Sequence, residues 1–452
     1  MKKIFSVSAA IIAMSLICTV ASAQSFRTGY FLDNYIYSYR INPAIVSDDS
    51  FFGLAVTNID LQNSSNIGIS SILYPSGNSI VTGLNSKVSA DEFLGKLSQN
   101  NGLNLDESIN ILSMGFAKKD HYSTVEVNVR AMAGASLPYD LLAFLKKGGI
   151  GKTYDISNIY ANAKAYADVS YGYARDINDK ISVGGRVHFL VGLANVTARS
   201  QNTSISMSEQ EMAVTSDMNI TSAGLLELST TSDGAIDASN TKFGMDNGMG
   251  GFGASIDLGA VYKPIDGLEV SLAVNDLGAI SWSNNFTGKA SGRSTVSGGT
   301  IKLNDGKLET DLENALTALT ECVNVKNTGK SSSFEMLPAT IAAGARYTMP
   351  FYEGLSAGML ATIHTGTCSS WYDLRAGATI TPARIVSAAA NLGISSFGPT
   401  FGAALNLHLG PVNLVAGTDC FMSSMTKISN IPVPVPLNKF VLNAHLGLSI
   451  SF

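Results

Sequence analysis

The stretch "FVLNAHLGLSISF", residues 440–452, alternates strictly to its last residue. Phe440, Leu442, Ala444, Leu446, Leu448, Ile450 and Phe452 fall on one side of an extended chain, and Asn443, His445, Gly447 and Ser449 on the other. A soluble domain usually frays at its terminus, and an exposed apolar edge strand there invites aggregation. A strand that closes a barrel, with its apolar face in lipid, accounts for both the pattern and the aromatic ending.

The opposite end fits that setting. Lys2 and Lys3 precede the apolar run "IFSVSAAIIAMSLICTV", and "ASA" at residues 21–23 offers a small-residue cleavage site. Residues 1–23 are therefore expected to be a signal peptide, cleaved during export from a bacterial cytoplasm. Cys18 follows Ile17, where a lipoprotein signal would carry a small residue.

Only 14% of residues are charged, against roughly 25% in ordinary globular domains. The formal net charge is −5 with no basic cluster, which argues against nucleic acid as a partner. Beyond the leader no segment reaches the ~18 consecutive apolar residues of a membrane helix, so a membrane protein of this composition must span as strands. Cys322, Cys368 and Cys420 lack metal-site spacing. In an oxidising compartment, a disulfide between Cys322 and Cys368, in neighbouring external loops, is the expected pairing, with Cys420 free.

Alternation recurs along the chain. In "YSTVEVNVRAMAG" Val125, Val127, Val129 and Ala131 oppose Thr124, Glu126, Asn128 and Arg130. Hairpins are predicted around the turns "INDK", "PIDG" and "PFYEG" and around Gly410-Pro411. Fourteen such segments start near residues 51, 108, 122, 163, 180, 251, 267, 338, 354, 371, 384, 399, 411 and 439, an even number as a single-chain bacterial barrel requires. Tight turns alternate with connections that are mostly long, such as residues 199–250 and 283–337. Outer-membrane barrels have this asymmetry, with short periplasmic turns and extended external loops. Helical patterns interrupt three loops: "SADEFLGKLSQ" with Ser89 and Glu92 at capping-box spacing, "LPYDLLAFLKKGG", and "LETDLENALTALTE". Their apolar stripes read as faces packed against the barrel rim.

Little of the apparent chemistry survives its context. "GMGGFG", residues 248–253, has the spacing of a dinucleotide loop but leads into a strand rather than a helix, so its glycines are expected to let a strand bend. His188, His408 and His445 share inward parity, yet no pair has metal-ligand spacing. Some outer-membrane lipases place a serine and a histidine on a barrel's rim. No serine, histidine and acid or amide converge on these strands, so no enzyme activity, cofactor or metal is expected. Glu126, Arg130, Lys164, Asp168, Arg186, Asp373 and Arg375 all have inward parity. They read first as a paired ladder stiffening the wall, and second as a lumen lining that holds a carboxylate through Arg130, Arg186 or Arg375.

Asn42-Pro43-Ala44, ahead of the first strand, resembles the "NPA" element of the long-chain fatty-acid transporter superfamily of outer-membrane barrels. "RTGYFLDN…YRINPAI", "LPYDLLAFLKKG" and "NDLGAISW" narrow the resemblance to a Bacteroidetes branch of unknown function, which is also similar to the outer-membrane barrel component of type IX secretion. The resemblance implies a fourteen-stranded barrel plugged by an N-terminal hatch. Residues 24–50 would be that hatch, with Asn42, Pro43 and Ala44 at its junction with the wall. Phe26, Tyr30, Phe31, Tyr35, Ile36 and Tyr37 are apolar enough to pack inside it.

The expectation is thus an all-β, closed antiparallel transmembrane barrel over residues 51–452, with a hatch and short helices in external loops, in a Gram-negative outer membrane. Its partners would be membrane lipid, the barrel assembly machinery and a hydrophobic small-molecule ligand. The leading function is a passive channel or uptake protein for small hydrophobic or amphipathic molecules. The alternative is a non-transporting barrel acting through its loops as secretion partner, adhesin or scaffold. Outer-membrane barrels resemble one another in a terminal aromatic that the assembly machinery reads, a role that falls to Phe452. Phe452→Asp should then strongly reduce folded barrel in the outer membrane while Phe452→Tyr is tolerated, as read by heat-modifiable gel migration. Normal accumulation of Phe452→Asp would leave lipid contact as the residue's whole role.

Overall fold

The computed structural model describes residues 26–45, 47–76, 79–232, 234–244, 248–297, 325–366, 370–421, 425–426, 435–436 and 440–452. The leader, the third helical pattern, Cys322 and Cys368 lie outside the described residues, as does the side chain of Cys420.

Fourteen antiparallel strands close into a ring. They are β1 (Phe51–Ser65), β2 (Asn100–Lys118), β3 (His121–Pro138), β4 (Tyr160–Asn178), β5 (Ile181–Ser200), β6 (Gly251–Tyr262) and β7 (Leu268–Ser297). The second half comprises β8 (Thr340–Thr348), β9 (Leu355–His364), β10 (Trp371–Ala383), β11 (Val386–Ser395), β12 (Gly398–Leu409), β13 (Val412–Phe421) and β14 (Phe440–Ser451). Each pairs with its neighbour, and β1 pairs with both β2 and β14, with Phe51 opposite Ser451 and Ser65 opposite Phe440. The second strand starts earlier than its alternation shows, because Asn100–Asn104 carries little apolar pattern.

Polarity is inverted relative to a water-soluble protein. Outward residues such as Phe189, Leu392 and Leu446 are 55%, 65% and 60% exposed. Alternate positions such as Asp168, Arg375, Asn443 and His445 are buried. The apolar side therefore faces lipid and the polar side faces the lumen, the pattern of an outer-membrane-type barrel. The turns Lys119–Asp120, Asp179–Lys180, Lys263–Gly267, Met349–Gly354, Arg384–Ile385 and Gly410–Pro411 all lie at one end. At that end Phe452, 75% exposed, donates its backbone N–H to the Ser50 carbonyl at 3.0 Å.

The long connections differ from the irregular loops expected of them. β7 runs past its membrane portion to Ser297, and Glu211–Gly224 pairs along its outer half on one side. Lys326–Met336 pairs with β7 on the other side, so the wall continues beyond the lipid-facing belt. Phe334 and Met336 mark the edge of that belt, and Lys326, Thr328 and Lys330 beyond them are exposed and polar. Serines and threonines between the apolar positions hid this sheet in the sequence. Met212, Val214 and Ile205 nonetheless bury themselves with Phe93, Phe144 and Tyr154 in a cap over the rim. Two helices join the cap, Ala90–Leu94 and Tyr139–Lys147. Ser89 caps the first by accepting from Glu92 N at 3.1 Å.

Placing a charge on the outward face tests the lipid assignment. Leu392→Arg should cost about 2–4 kcal/mol near the bilayer midplane and lower folded yield in vesicles, with a smaller effect in detergent micelles. Equal yields of variant and parent in vesicles would count against β11 facing lipid.

Candidate functional site

A ring of fourteen strands encloses more space than its own side chains fill, and residues 26–45 occupy part of it. Two single-turn elements, Arg27–Tyr30 and Ile36–Arg40, fold within this segment. Phe26, Tyr30, Phe31, Tyr35, Tyr37 and Tyr39 are all buried there. Phe26 stacks on His445 with ring centroids 4.8 Å apart, and Tyr35 Oη meets His445 Nε2 at 3.1 Å. Asn275 Nδ2 donates to the Ile41 carbonyl at 2.9 Å, and Asp33 forms an ion pair with Arg346.

Inward glycines of the wall receive this segment. A methyl group at Gly417 would overlap the Phe26 ring, one at Gly402 the Thr28 hydroxyl, and one at Gly344 the Tyr30 phenol. The Asn42-Pro43-Ala44 turn sits on the directly paired Gly184 and Gly259, where a β-carbon would strike Pro43 O and Asn42 Oδ1 respectively. Asn42 braces the turn by accepting from Ala44 N at 2.9 Å, while its amide donates to Ala260 O at 3.2 Å. Glycines at these positions look like any strand glycine in the sequence, so the sockets were not legible there.

All seven predicted inward charges are buried, and they fall into separate groups. Glu126 accepts from Arg40 Nε at 2.8 Å and Tyr39 Oη at 2.9 Å and also pairs with Arg186. Arg130 grips Asp276 through Nη1 at 2.6 Å and Nη2 at 3.2 Å, with Asp168 at 3.5 Å. His188 lies between Asp168 and Asp257, at 2.8 and 3.0 Å. Across the lumen, Arg375 donates to Asp373 at 2.6 Å and to Asp419 at 2.7 Å. Lys164 holds Glu335 at 2.7 Å. Arg130, Arg186 and Arg375 thus engage the protein's own carboxylates. The paired-ladder reading accounts for these contacts, and the sequence reading missed their partners Arg40, Asp257, Asp276, Glu335 and Asp419.

Above the Arg130 group the lumen turns apolar. Met132, Tyr166, Leu190, Ala223, Ile280, Trp282 and Leu337 form one buried cluster on the inner wall. At its margin Trp282 Nε1 donates to Glu335 Oε2 at 3.2 Å, the carboxylate that Lys164 also holds. The inward parity of Leu190 carried this signal, but an apolar residue among inward polar ones is easily read as noise, and Ile280 turns inward only because β7 carries an extra residue where its register slips. Gly250 and Gly251 close the wall beside the cluster: a β-carbon at Gly250 would meet the Gly224 backbone, so this part of "GMGGFG" serves a close backbone approach rather than the strand bend expected of it.

The family described as "Family of unknown function (DUF5723)" matches residues 43–419. The chain belongs to that family. No curated protein matches this member of DUF5723. Among solved structures it is similar to the Ralstonia pickettii toluene transporter TbuX, with a TM-score of 0.45, 8% identity and coverage of 93% of this chain and 94% of that one. The P. putida toluene transporter TodX gives 0.44 and 11% over 93% and 94%. A Pseudomonas aeruginosa FadL homologue gives 0.37 and 12% over 95% of each chain.

Removing one partner of a buried ion pair leaves the other uncompensated, at about 3–5 kcal/mol. Glu126→Ala, which removes the carboxylate that both Arg40 and Arg186 engage, should therefore loosen residues 26–45. Limited proteolysis of the detergent-solubilised barrel should then cleave near Arg40, and Gly184→Val should do the same by evicting Pro43. Protection as in the parent would show that neither contact holds the segment.

Proposed function

We propose that this DUF5723 member is an outer-membrane uptake barrel for small hydrophobic or amphipathic molecules, with residues 26–45 as its hatch. The observation that carries this reading is the apolar cluster inside the lumen. A barrel interior is ordinarily polar, so the tightly packed patch of Met132, Leu190, Ile280 and Trp282 is an apolar lining that a solute would contact once these side chains part to admit it. Glu335 and Lys164 at its margin suit the polar end of an amphipathic solute. The sheet that continues past the membrane favours a second reading, a surface scaffold working through its loops.

The fluorescent hydrophobe N-phenyl-1-naphthylamine should bind the purified barrel and be displaced by toluene. Leu190→Asn should weaken binding about tenfold, the order expected for exchanging a buried apolar contact for an amide, while heat-modifiable migration is retained. Cells with and without the barrel taking up hydrophobic carbon sources equally would overturn the uptake reading in favour of the scaffold.

A further inference from the structure

The sequence carries no basic cluster, yet strand register assembles one on the sheet that continues past the lipid-facing belt. Lys326 lies directly opposite Lys289 on β7, Lys289 opposite Asn219, and Asn219 opposite Arg199 on β5. Directly opposed residues share a face, so three cations stand in one row across four strands. The row faces away from the cap, because Met212 and Val214, which the cap buries, alternate with Asn219 along Glu211–Gly224. Arg199, Lys289 and Lys326 are all exposed. The Arg199 guanidinium carbon sits 5.3 Å from the centroid of the Tyr160 ring.

Like charges directly opposite one another destabilise a sheet. The ordinary remedy is visible nearby, where Arg293, four residues along β7, holds Glu211 at 3.1 Å. Among the described residues Arg199, Lys289 and Lys326 have no such carboxylate partner. Asp217, the acidic residue closest to Asn219 on this face of Glu211–Gly224, stands in the next row outward, opposite Ser291. A partner that brings negative charge from outside the chain accounts for the uncompensated row.

Height and surroundings identify that partner. Lys326 precedes Phe334, at the edge of the lipid-facing belt, by eight residues. At about 3.3 Å per residue, shortened by the tilt of a barrel wall, the row stands roughly 20 Å beyond that edge. A headgroup layer is only about 5–8 Å deep on each side of a bilayer, so lipid phosphates lie too low to reach it. The flanking positions are hydroxylated. Thr197, Thr221 and Thr287 form the next row toward the membrane, and Ser291 stands in the next row outward. Thr215, Asp217, Asn219 and Thr221 line this face without an apolar side chain among them, so it lacks the large anchors on which protein partners depend. Cations set among hydroxyls suit a chain that carries both carboxylates and hydroxyl groups. We propose that Arg199, Lys289 and Lys326 bind an acidic polysaccharide, at a site separate from the lumenal apolar cluster.

Surface plasmon resonance of the full-length barrel in detergent tests this, with immobilised polygalacturonate, dextran and polyglutamate as probes. Polygalacturonate should bind, and high salt should weaken it several-fold by screening exposed charges. Dextran should give no signal, and polyglutamate should bind at least about tenfold more weakly for want of hydroxyl contacts. Lys289→Glu should weaken polygalacturonate binding at least about tenfold, since it removes a charge-assisted contact and adds a repulsion. The same variant sets a carboxylate opposite Lys326, so the temperature at which folded gel mobility is lost should not fall. Lys263→Gln, at the end of the barrel with the tight turns, should bind as the parent does. No polygalacturonate binding, salt-independent binding, equal binding of dextran, or parental binding by Lys289→Glu would overturn the proposal. Polyglutamate binding as tightly would overturn it in favour of an acidic protein segment. Should Lys289→Glu lose stability, Lys326→Gln decides by several-fold weaker binding, and parental affinity there overturns the proposal. N-phenyl-1-naphthylamine binding reads the apolar cluster independently, so failure here leaves the uptake reading standing.

Discussion

The pairing of β1 with β14 is the contact on which the rest of the molecule depends. Within lipid no water is available to an unpaired backbone N–H or C=O, and each such group costs several kcal/mol. A sheet with two free edges would carry a row of them on each. Phe51 opposite Ser451 and Ser65 opposite Phe440 remove both edges at once. Closure then dictates side-chain chemistry, because alternate positions face two different solvents. The outward set can be apolar without limit. The inward set is sealed, and its polar groups must find partners among themselves, in the lumenal segment or in a solute.

That sealing explains why residues 26–45 fit so closely. Phe26 against Gly417, Tyr30 against Gly344 and Pro43 against Gly184 are contacts in which the wall gives up a side chain to admit one from the segment. The ion pairs complete the fit rather than drive it. Desolvating Glu126 and its two arginines offsets much of their mutual attraction, while the aromatic contacts of Phe26, Tyr35 and Tyr37 gain burial without that cost. The charges fix position: Arg40 reaches Glu126 on β3 and Arg27 reaches Asp419 on β13, which sets the segment's orientation across the lumen.

What was legible in the sequence was whatever depended on period. Strand number, the end carrying the tight turns and the inward face of all seven named charges followed from alternation, since lipid on one side makes that signal strong. What was not legible depended on the third dimension. Arg27 and Arg40 lie in a segment without period, so nothing local marked them as partners of Asp419 and Glu126. Asp257 and Asp419 have correct parity, but only register shows which arginine each one meets. The socket glycines Gly184 and Gly259 acquire meaning only from Asn42 and Pro43, more than a hundred positions away along the chain.

Asp276 shows why parity alone must sometimes fail. Asn275 faces the lumen, donating to the Ile41 carbonyl, so regular alternation would turn Asp276 to the lipid. Instead the β6–β7 register slips between Ile256 and Leu258, where β7 carries one extra residue, and Asp276 adopts φ +59°. A left-handed conformation outside glycine costs on the order of 1–3 kcal/mol, less than the several kcal/mol of an unpaired carboxylate out of water. The bulge also frees a backbone donor, and that donor is used: Asp276 N–H bonds Asp257 Oδ1 at 2.7 Å. The same carboxylate, through Oδ2, meets His188. One inserted residue thus delivers a carboxylate to Arg130 and ties two strands to the buried histidine, and the strain is held by the contacts it creates.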